Sequence, residues 1–187
     1  MPDHRLLLLF LSFMLLAPSL GVWSSEQQIP PSVILDDDFS YAKLTDKTYV
    51  LLDPQRQLGI EDVSSSGRQS DFRLKHGKIG FTDAAVWIRF LLESRFTTKQ
   101  TVILEVDFPL IDKIEFYEID GKGNYRPRFG GDTIPFGLRE MEFRNTLFKI
   151  ELEPGQAATY YMKFTSRGPI QLPLRIWNYQ TFTEHST

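Results

Sequence analysis

Eight stretches of this chain alternate apolar and polar residues with a period of two, and this alternation restricts the fold more than any other feature. A period of two sends successive side chains to opposite faces of a β-strand, so that one face is buried and the other is wet. Beyond the N-terminal segment, no stretch of ten or more residues keeps a helical period. The predicted strands are 48–52, 85–93, 101–106, 112–119, 125–129, 146–152, 159–165 and 170–177.

Turn-forming residues separate these strands, as Asp53-Pro54 and Pro154-Gly155 illustrate. Many short strands joined by turns predict an all-β fold, with two antiparallel sheets facing each other in a β-sandwich or jelly roll. Residues 60–63 are predicted to form one helical turn. Pro173 has no backbone donor, so we expect the last strand to lie at an edge or to be bulged there. Open sheet edges also allow a homodimer.

The N-terminus resembles an export signal. Arg5 precedes an apolar run at 6–17, Pro18 ends that run, and small residues lead to a predicted cleavage site near Ser24. The run has 12 residues, too few to span a bilayer. We therefore expect export to the periplasm, or attachment to the membrane if the segment stays uncleaved. The predicted divisions are a signal peptide at 1–24, a lead-in at 25–44, the sandwich at 45–182 and a tail at 183–187.

Composition excludes several classes of function. The formal net charge is −3, whereas proteins that neutralise nucleic-acid phosphates carry an excess of Lys and Arg. The chain has no cysteine, which excludes disulfides, zinc–thiolate sites, a catalytic thiol and a lipoprotein anchor. We therefore expect no nucleic-acid partner and no covalent lipid.

The sequence offers little for catalysis or metal binding. Asp36, Asp37 and Asp38 lack the alternate spacing and the glycine of a calcium loop, so a solvated turn is the simpler interpretation. His76 and His185 are far apart in sequence, and no hydrolase elbow, P-loop or dinucleotide motif is present. We predict no enzyme activity, no metal and no cofactor. A small hydrolase using surface carboxylates such as Glu115, Glu118 or Asp132 is a lesser alternative.

Aromatic and charged side chains on outward strand positions mark a candidate ligand site. An aromatic surface surrounded by arginines and carboxylates is typical of pockets for sugars or small anions. The alternative is structural: Trp87 packs under a loop, and Arg89 pairs with Glu115 or Asp132 across strands. The candidate ligand-binding residues are Trp87, Arg89, Tyr117, Arg128, Asp132 and Arg144.

A series of short segments in a fixed order resembles a known family. They are Val86 to Phe90, Leu104 to Val106, Leu110 to Tyr117, Gly131-Asp132 with Pro135 and Arg139, Tyr160 to Phe164 and Leu172 to Trp177. This order is similar to the second type of extracellular sensor domain in bacterial seven-transmembrane receptors with diverse intracellular signalling modules. The resemblance covers about residues 49–182.

The resemblance implies a jelly roll like that of carbohydrate-binding modules, located in the periplasm and sensing carbohydrates or other small ligands. It also implies receptor membrane helices as partners in full-length relatives. By position, Trp87 and Arg89 match the family's W-x-R strand, and Asp132 matches its glycine-aspartate turn. The chain ends ten residues after Trp177, so we expect a truncated receptor or a stand-alone relative. A secreted carbohydrate-binding or adhesion module without signalling is the main alternative.

Overall fold

The structure is a computed structural model that describes residues 31–74, 78–120 and 122–186. The predicted signal peptide, its cleavage near Ser24, and His76 lie outside these residues. Within them, 13 strands form: β1 (Val33–Leu35), β2 (Tyr41–Lys43), β3 (Tyr49–Asp53), β4 (Arg73–Leu74), β5 (Lys78–Gly80), β6 (Ala85–Ser94), β7 (Gln100–Val106), β8 (Lys113–Ile119), β9 (Tyr125–Gly130), β10 (Thr146–Leu152), β11 (Ala157–Thr165), β12 (Ile170–Gln171) and β13 (Leu174–Asn178).

Every predicted strand is present among these, and the structure adds four short ones: β1, β2, β4 and β5. The predicted final strand is divided at Leu172 and Pro173, where the chain leaves β12 and enters β13. β13 is internal to its sheet rather than at an edge, so the missing donor of Pro173 is accommodated by a break in the strand.

Helices are few and short in the described residues. Helix α1 (Ile60–Ser64) confirms the predicted helical turn, and a 3₁₀ helix follows at Ser66–Asp71. A second 3₁₀ helix lies at Phe136–Leu138, and helix α2 (Tyr179–His185) follows β13. The Asn178 side chain caps α2 by accepting hydrogen bonds from the backbone N–H of Gln180 and Thr181. α2 therefore extends into the segment that the sequence analysis assigned to a tail.

Two sheets make up the sandwich. The large sheet has the order β4-β3-β6-β11-β8-β9, with β1 added in parallel beside the C-terminal end of β6. The small sheet has the order β10-β7-β13-β2, and β12 pairs with β5 in a two-stranded ribbon. β1 and β2 belong to different sheets, although both lie in the segment predicted to be a lead-in.

The main core lies between the inner faces of the two sheets, and this arrangement confirms the predicted all-β sandwich. Alternate residues of β6 supply Val86, Ile88, Phe90 and Leu92, all fully buried. Facing them, β7 supplies Val102, Leu104 and Val106. The period of two seen in the sequence is therefore the spacing of inward side chains along each strand.

The outer face of the large sheet is not wet, contrary to the expectation for alternating strands. A second apolar cluster forms there, with Leu58, Ile60 and Val63 from the segment 54–72 packed onto the sheet. Because this segment has only one short helix and a 3₁₀ helix, its sequence gives no periodic pattern that would predict a covering layer. Three of the candidate site residues, Trp87, Arg89 and Tyr117, are buried on this face.

Candidate functional site

Trp87, Arg89 and Tyr117 lie together on the outer face of the large sheet, beneath the segment 54–72. Trp87 is 0% exposed, Arg89 3% and Tyr117 8%. The Trp87 and Tyr117 rings stack with their centres 5.5 Å apart, and the Lys163 ammonium lies 5.1 Å from the Trp87 ring centre. The structure thus brings three of the six predicted residues into one cluster and seals that cluster from solvent.

Arg89 connects the sheet to its covering segment. Its guanidinium donates to the backbone oxygen of Gln69 at 3.2 Å and lies 4.7 Å from the Phe72 ring centre. β6, which carries Arg89, and β8, which carries Glu115, are not adjacent strands, because β11 lies between them. Burial lowers the pKa of Arg89. Ligand binding by Trp87 and Arg89 stays a prediction, whereas their packing role is visible in these contacts.

Tyr117 is also engaged within the protein. Its hydroxyl donates to the Glu115 carboxylate, which forms an ion pair with Lys113 at 2.8 Å. Burial and the hydrogen bond to Glu115 raise the pKa of Tyr117. The phenol is therefore held as a hydrogen-bond donor.

Arg128 and Asp132 lie apart from that cluster. Arg128 bridges the large sheet to the small one by pairing with Glu118 at 3.3 Å and Glu140 at 3.0 Å and by donating to the backbone oxygen of Lys149 at 2.7 Å. Asp132 is exposed in the turn after β9, where its backbone N–H donates to the oxygen of Ile111 at 2.8 Å.

A cavity of about 340 Å³ opens on the outer face of the small sheet. Its volume lies at the lower end of the range for small-molecule sites, roughly 300–1,000 Å³. The lining residues combine two carboxylates, two arginines, an amide, a histidine and three aromatic rings with one serine: Glu105, Asp107, Phe143, Arg144, Asn145, Arg175, Trp177, Phe182, His185 and Ser186. We call this cavity the small-sheet pocket.

Glu105 forms the polar centre of the small-sheet pocket. Its side chain points outward from β7, opposite Arg175 on β13 and Leu147 on β10. The carboxylate accepts from the Asn145 amide at 2.6 Å and from the Trp177 indole N–H at 2.8 Å, and Arg175 lies 3.6 Å away. With 4% exposure, this carboxylate is held by three donors from two different segments, β13 and the loop before β10, as a buried charge requires.

Asp107 continues the polar surface toward the end of β7. It pairs with the Arg175 guanidinium and accepts from the Asn145 amide at 2.8 Å. Because both partners of the Asn145 amide nitrogen are carboxylates, that nitrogen must be the donor and Oδ1 must face the other way. Oδ1 is buried and has no hydrogen-bond partner within the described part of the chain. Glu105, Asp107, Asn145 and Arg175 therefore form one connected network with a spare acceptor.

Aromatic side chains form the wall of the pocket. The Trp177 ring lies between Tyr41, with ring centres 4.2 Å apart, and His185, with ring centres 5.1 Å apart. Phe182 of α2 packs edge-on to Trp177 at 6.2 Å. Since His185 and Phe182 both belong to α2, the position of this helix fixes the shape of the wall.

Arg144 is the one predicted ligand residue that lines the small-sheet pocket. It is exposed, and it directly precedes Asn145 in the loop that leads into β10. Five other residues of the pocket were not predicted from the sequence: Glu105, Asp107, Asn145, Arg175 and Trp177. A usable signal existed in the alternation, because Glu105 and Arg175 are opposite charges at outward positions of strands whose inward positions are apolar.

The donor set of the pocket fits a polar organic ligand better than a metal ion. Glu105 and Asp107 both already pair with Arg175 and accept hydrogen bonds from Asn145. Across residues 31–74, 78–120 and 122–186, no group of three or more His, Asp and Glu side chains could hold a metal.

Comparison with known proteins identifies the family. The family model described as 7TMR-DISM extracellular 2 matches residues 45–178. The chain belongs to this family. It is therefore an extracellular sensor domain of the kind found in membrane receptors, and the family is one of sensors rather than enzymes. The match includes β7 and β13, which carry Glu105, Arg175 and Trp177, and it ends where α2 begins.

Two further findings accompany this membership. A comparison with curated proteins found no match. Among the described residues, no helix is both long and apolar enough to cross a membrane.

Proposed function

We propose that this sensor domain is exported to the periplasm by residues 1–24 and binds a saccharide in the small-sheet pocket. The observation that carries the proposal is the network of Glu105, Asp107, Asn145 and Arg175 beside the Trp177 wall. Hydroxyl groups donate and accept, so a sugar can use carboxylate acceptors and arginine donors at the same time. Aromatic side chains supply the apolar surface that such ligands contact.

The charge balance of the pocket favours a neutral, polyhydroxylated ligand over a small anion. Arg175 is already paired with Glu105 and Asp107, so its charge is offset. An anion approaching this surface would meet two carboxylates, and like charges at short range disfavour binding. Arg144, exposed on the rim, adds a forked donor that can reach a ligand hydroxyl.

Sensing requires that ligand binding change the population of some second conformation. We propose α2 as the element that responds, because His185 and Ser186 line the same pocket as Glu105. A saccharide that replaces the contact between His185 and Trp177 would shift α2 away from its present position. The receptor's membrane helices are the proposed partners, and no catalytic step is assigned.

Calorimetric titration of the full chain with a panel of mono- and disaccharides tests the proposal. Arg144→Ala is the informative variant, because the side chain lines the pocket and is exposed. Arg126→Ala is the matched control: it removes an arginine that is 78% exposed and lies 3.8 Å from Asp120 at the opposite end of the domain. We expect at least one saccharide to bind, Arg144→Ala to weaken it by about tenfold or more, and Arg126→Ala to leave the affinity unchanged.

Three results would contradict the proposal. The first is the absence of any binding heat with every saccharide of the panel. The second is an equal loss of saccharide affinity in Arg144→Ala and Arg126→Ala. The third is the release of shortened sugars during incubation, because this would favour a hydrolase. Binding that leaves α2 unmoved, measured from a fluorescent label at Thr183→Cys, would favour the secreted module without signalling. Dimerisation through a sheet edge stays a prediction, which sedimentation of the same samples checks.

A further inference from the structure

The four large apolar side chains with the highest exposure all lie between strands at one end of the sandwich. They are Phe81 at 81%, Leu138 at 77%, Leu110 at 61% and Phe136 at 51%. Single exposed apolar residues are common on protein surfaces and need no explanation. Exposed apolar residues also occur at the opposite end, but they are less exposed there, with Ile119 at 45% and Tyr179 at 43%.

The strand registers show that these residues share one end. Phe81 precedes β6, and Leu110 follows β7. Phe136 and Leu138 follow β9, whose last residue Gly130 is level with Ile114 at the start of β8. In the small sheet, Val106 at the end of β7 is level with Thr146 and Leu174 at the starts of β10 and β13. We call this side of the molecule the loop end.

Contacts between the loops hold the apolar residues on a common surface. The backbone N–H of Asp132 donates to Ile111, next to Leu110, at 2.8 Å. Arg167, in the loop between β11 and β12, pairs with Asp112 at 3.3 Å. Arg167 and Phe81 line one shallow cavity of about 190 Å³. The loops that carry Phe81, Leu110 and Leu138 are therefore joined into one layer.

Helix α2 packs on the outer face of the small sheet. β13 ends at Asn178, which is level with Val102 near the opposite end of the small sheet. The end of α2 nevertheless lines the small-sheet pocket, where His185 and Ser186 meet Asp107 and Arg144, the residues that flank the loop end of β7 and β10. α2 therefore packs against the loop 131–145, which also carries Phe136 and Leu138, through the contact of Phe182 with Phe143 at 5.4 Å between ring centres.

We propose that the loop end lies against the lipid bilayer of the membrane that carries the receptor. This inference rests on the family membership and not on the proposed saccharide site. Apolar side chains at loop tips enter the headgroup region of a bilayer and are stabilised by the apolar area they bury there. Arg167, with a 94% exposed side chain, is placed to extend toward lipid phosphates. Four separate side chains offer too little area for a stable protein interface, which buries about 800 Å² per partner.

Single-cysteine labelling of the full chain tests this orientation, since the chain has no cysteine of its own. Leu138→Cys and Phe81→Cys place an environment-sensitive fluorophore at the loop end. Ile119→Cys places it at the opposite end, where Ile119 is an apolar residue with 45% exposure. Vesicles of phosphatidylethanolamine and phosphatidylglycerol, with and without a bromolipid quencher, are added to each sample.

We expect a blue shift and bromolipid quenching at positions 138 and 81 and neither at position 119. Phe81→Ser with Leu110→Ser, made in the Leu138→Cys chain, should lower the vesicle partition coefficient about tenfold, while Ile119→Ser leaves it unchanged. All these positions are exposed, so the variants keep the fold, and circular dichroism checks this. Equal responses at both ends, or none at 138 and 81, would overturn the proposal. A shift without vesicles that grows with protein concentration would instead assign the loop end to a second copy of the chain.

Discussion

The indole N–H of Trp177 donates to the Glu105 carboxylate at 2.8 Å. This bond joins β13 to β7 across the outer face of the small sheet, and it ties the aromatic wall of the pocket to its polar centre. Glu105 is buried, so each donor it loses leaves part of a desolvated charge unsatisfied.

A double-mutant cycle on these two residues measures that coupling. Trp177→Phe removes the donor and Glu105→Gln removes the charge. We expect each single change to lower the free energy of unfolding by about 1–3 kcal/mol, and the double variant to cost about 1–2 kcal/mol less than the sum. Urea denaturation of the four proteins gives the values. Simple additivity would show that the contact contributes no coupling.

Arg89→Ala is expected to loosen the segment 54–72 from the large sheet. It removes the hydrogen bond to the backbone oxygen of Gln69 and the cation–π contact with Phe72. We predict a loss of about 2 kcal/mol or more of unfolding free energy and faster proteolysis within this segment. Arg89→Lys keeps the charge without the planar stack and should fall between the parent and the alanine variant. A stable Arg89→Ala protein that has lost ligand binding would instead support the predicted ligand role of Arg89.

Gly131→Ala tests the turn after β9, at the start of the loop that carries the pocket residues Arg144 and Asn145. Gly131 has φ +109°, and a Cβ there would meet the backbone oxygen of Asp112 at 2.5 Å. We expect a loss of about 2–3 kcal/mol, because backbone strain and a steric clash add. Gly123→Ala is the control, since Gly123 also has a positive φ, +85°, but open space around it, and it should cost about 1 kcal/mol. Equal losses in urea denaturation would show that the clash is relieved.

Acid sensitivity is expected at the hairpin between β8 and β9. Backbone N–H groups of Asn124 and Lys122 hold the pKa of Asp120 below its ordinary 3.8. A lowered folded-state pKa contributes stability above the unfolded value, and this contribution is lost as the pH falls through the folded value. Asp120→Asn should therefore have a lower free energy of unfolding than the parent at pH 7, and the difference in free energy between the two proteins should shrink below about pH 4. A difference that stays constant with pH would contradict the ionic contribution of Asp120.

The sandwich could be predicted from the sequence because its long strands bury alternate residues in one core. β6 and β7 show this most clearly, with inward Ile88 and Leu104 at the centre of their runs. β4 and β12 have two residues each, which is too short for a period to be visible. α2 has seven residues, so it presents barely two helical turns of pattern.

The pocket was harder to predict because its residues meet only through strand register. Glu105 and Arg175 are 70 positions apart in the chain and become neighbours because β13 pairs with β7. Trp87 shows a second limit: its outward position follows from the alternation, but the sequence does not identify 54–72 as the segment that packs over it. Arg144, nominated for its place near the turn after β9, lines the small-sheet pocket, and its role in ligand binding stays a prediction.

The most direct test of the saccharide proposal is to follow the indole N–H signals of the full chain by NMR during a sugar titration. The chain has three tryptophans, and Trp177→Phe and Trp87→Phe assign their signals. Because Trp177 lines the small-sheet pocket and Trp87 is sealed beneath the segment 54–72, the account predicts a saturable shift of the Trp177 signal with the Trp87 signal unchanged. A saturable shift of Trp87 alone, or no shift of either signal with any saccharide, would contradict it.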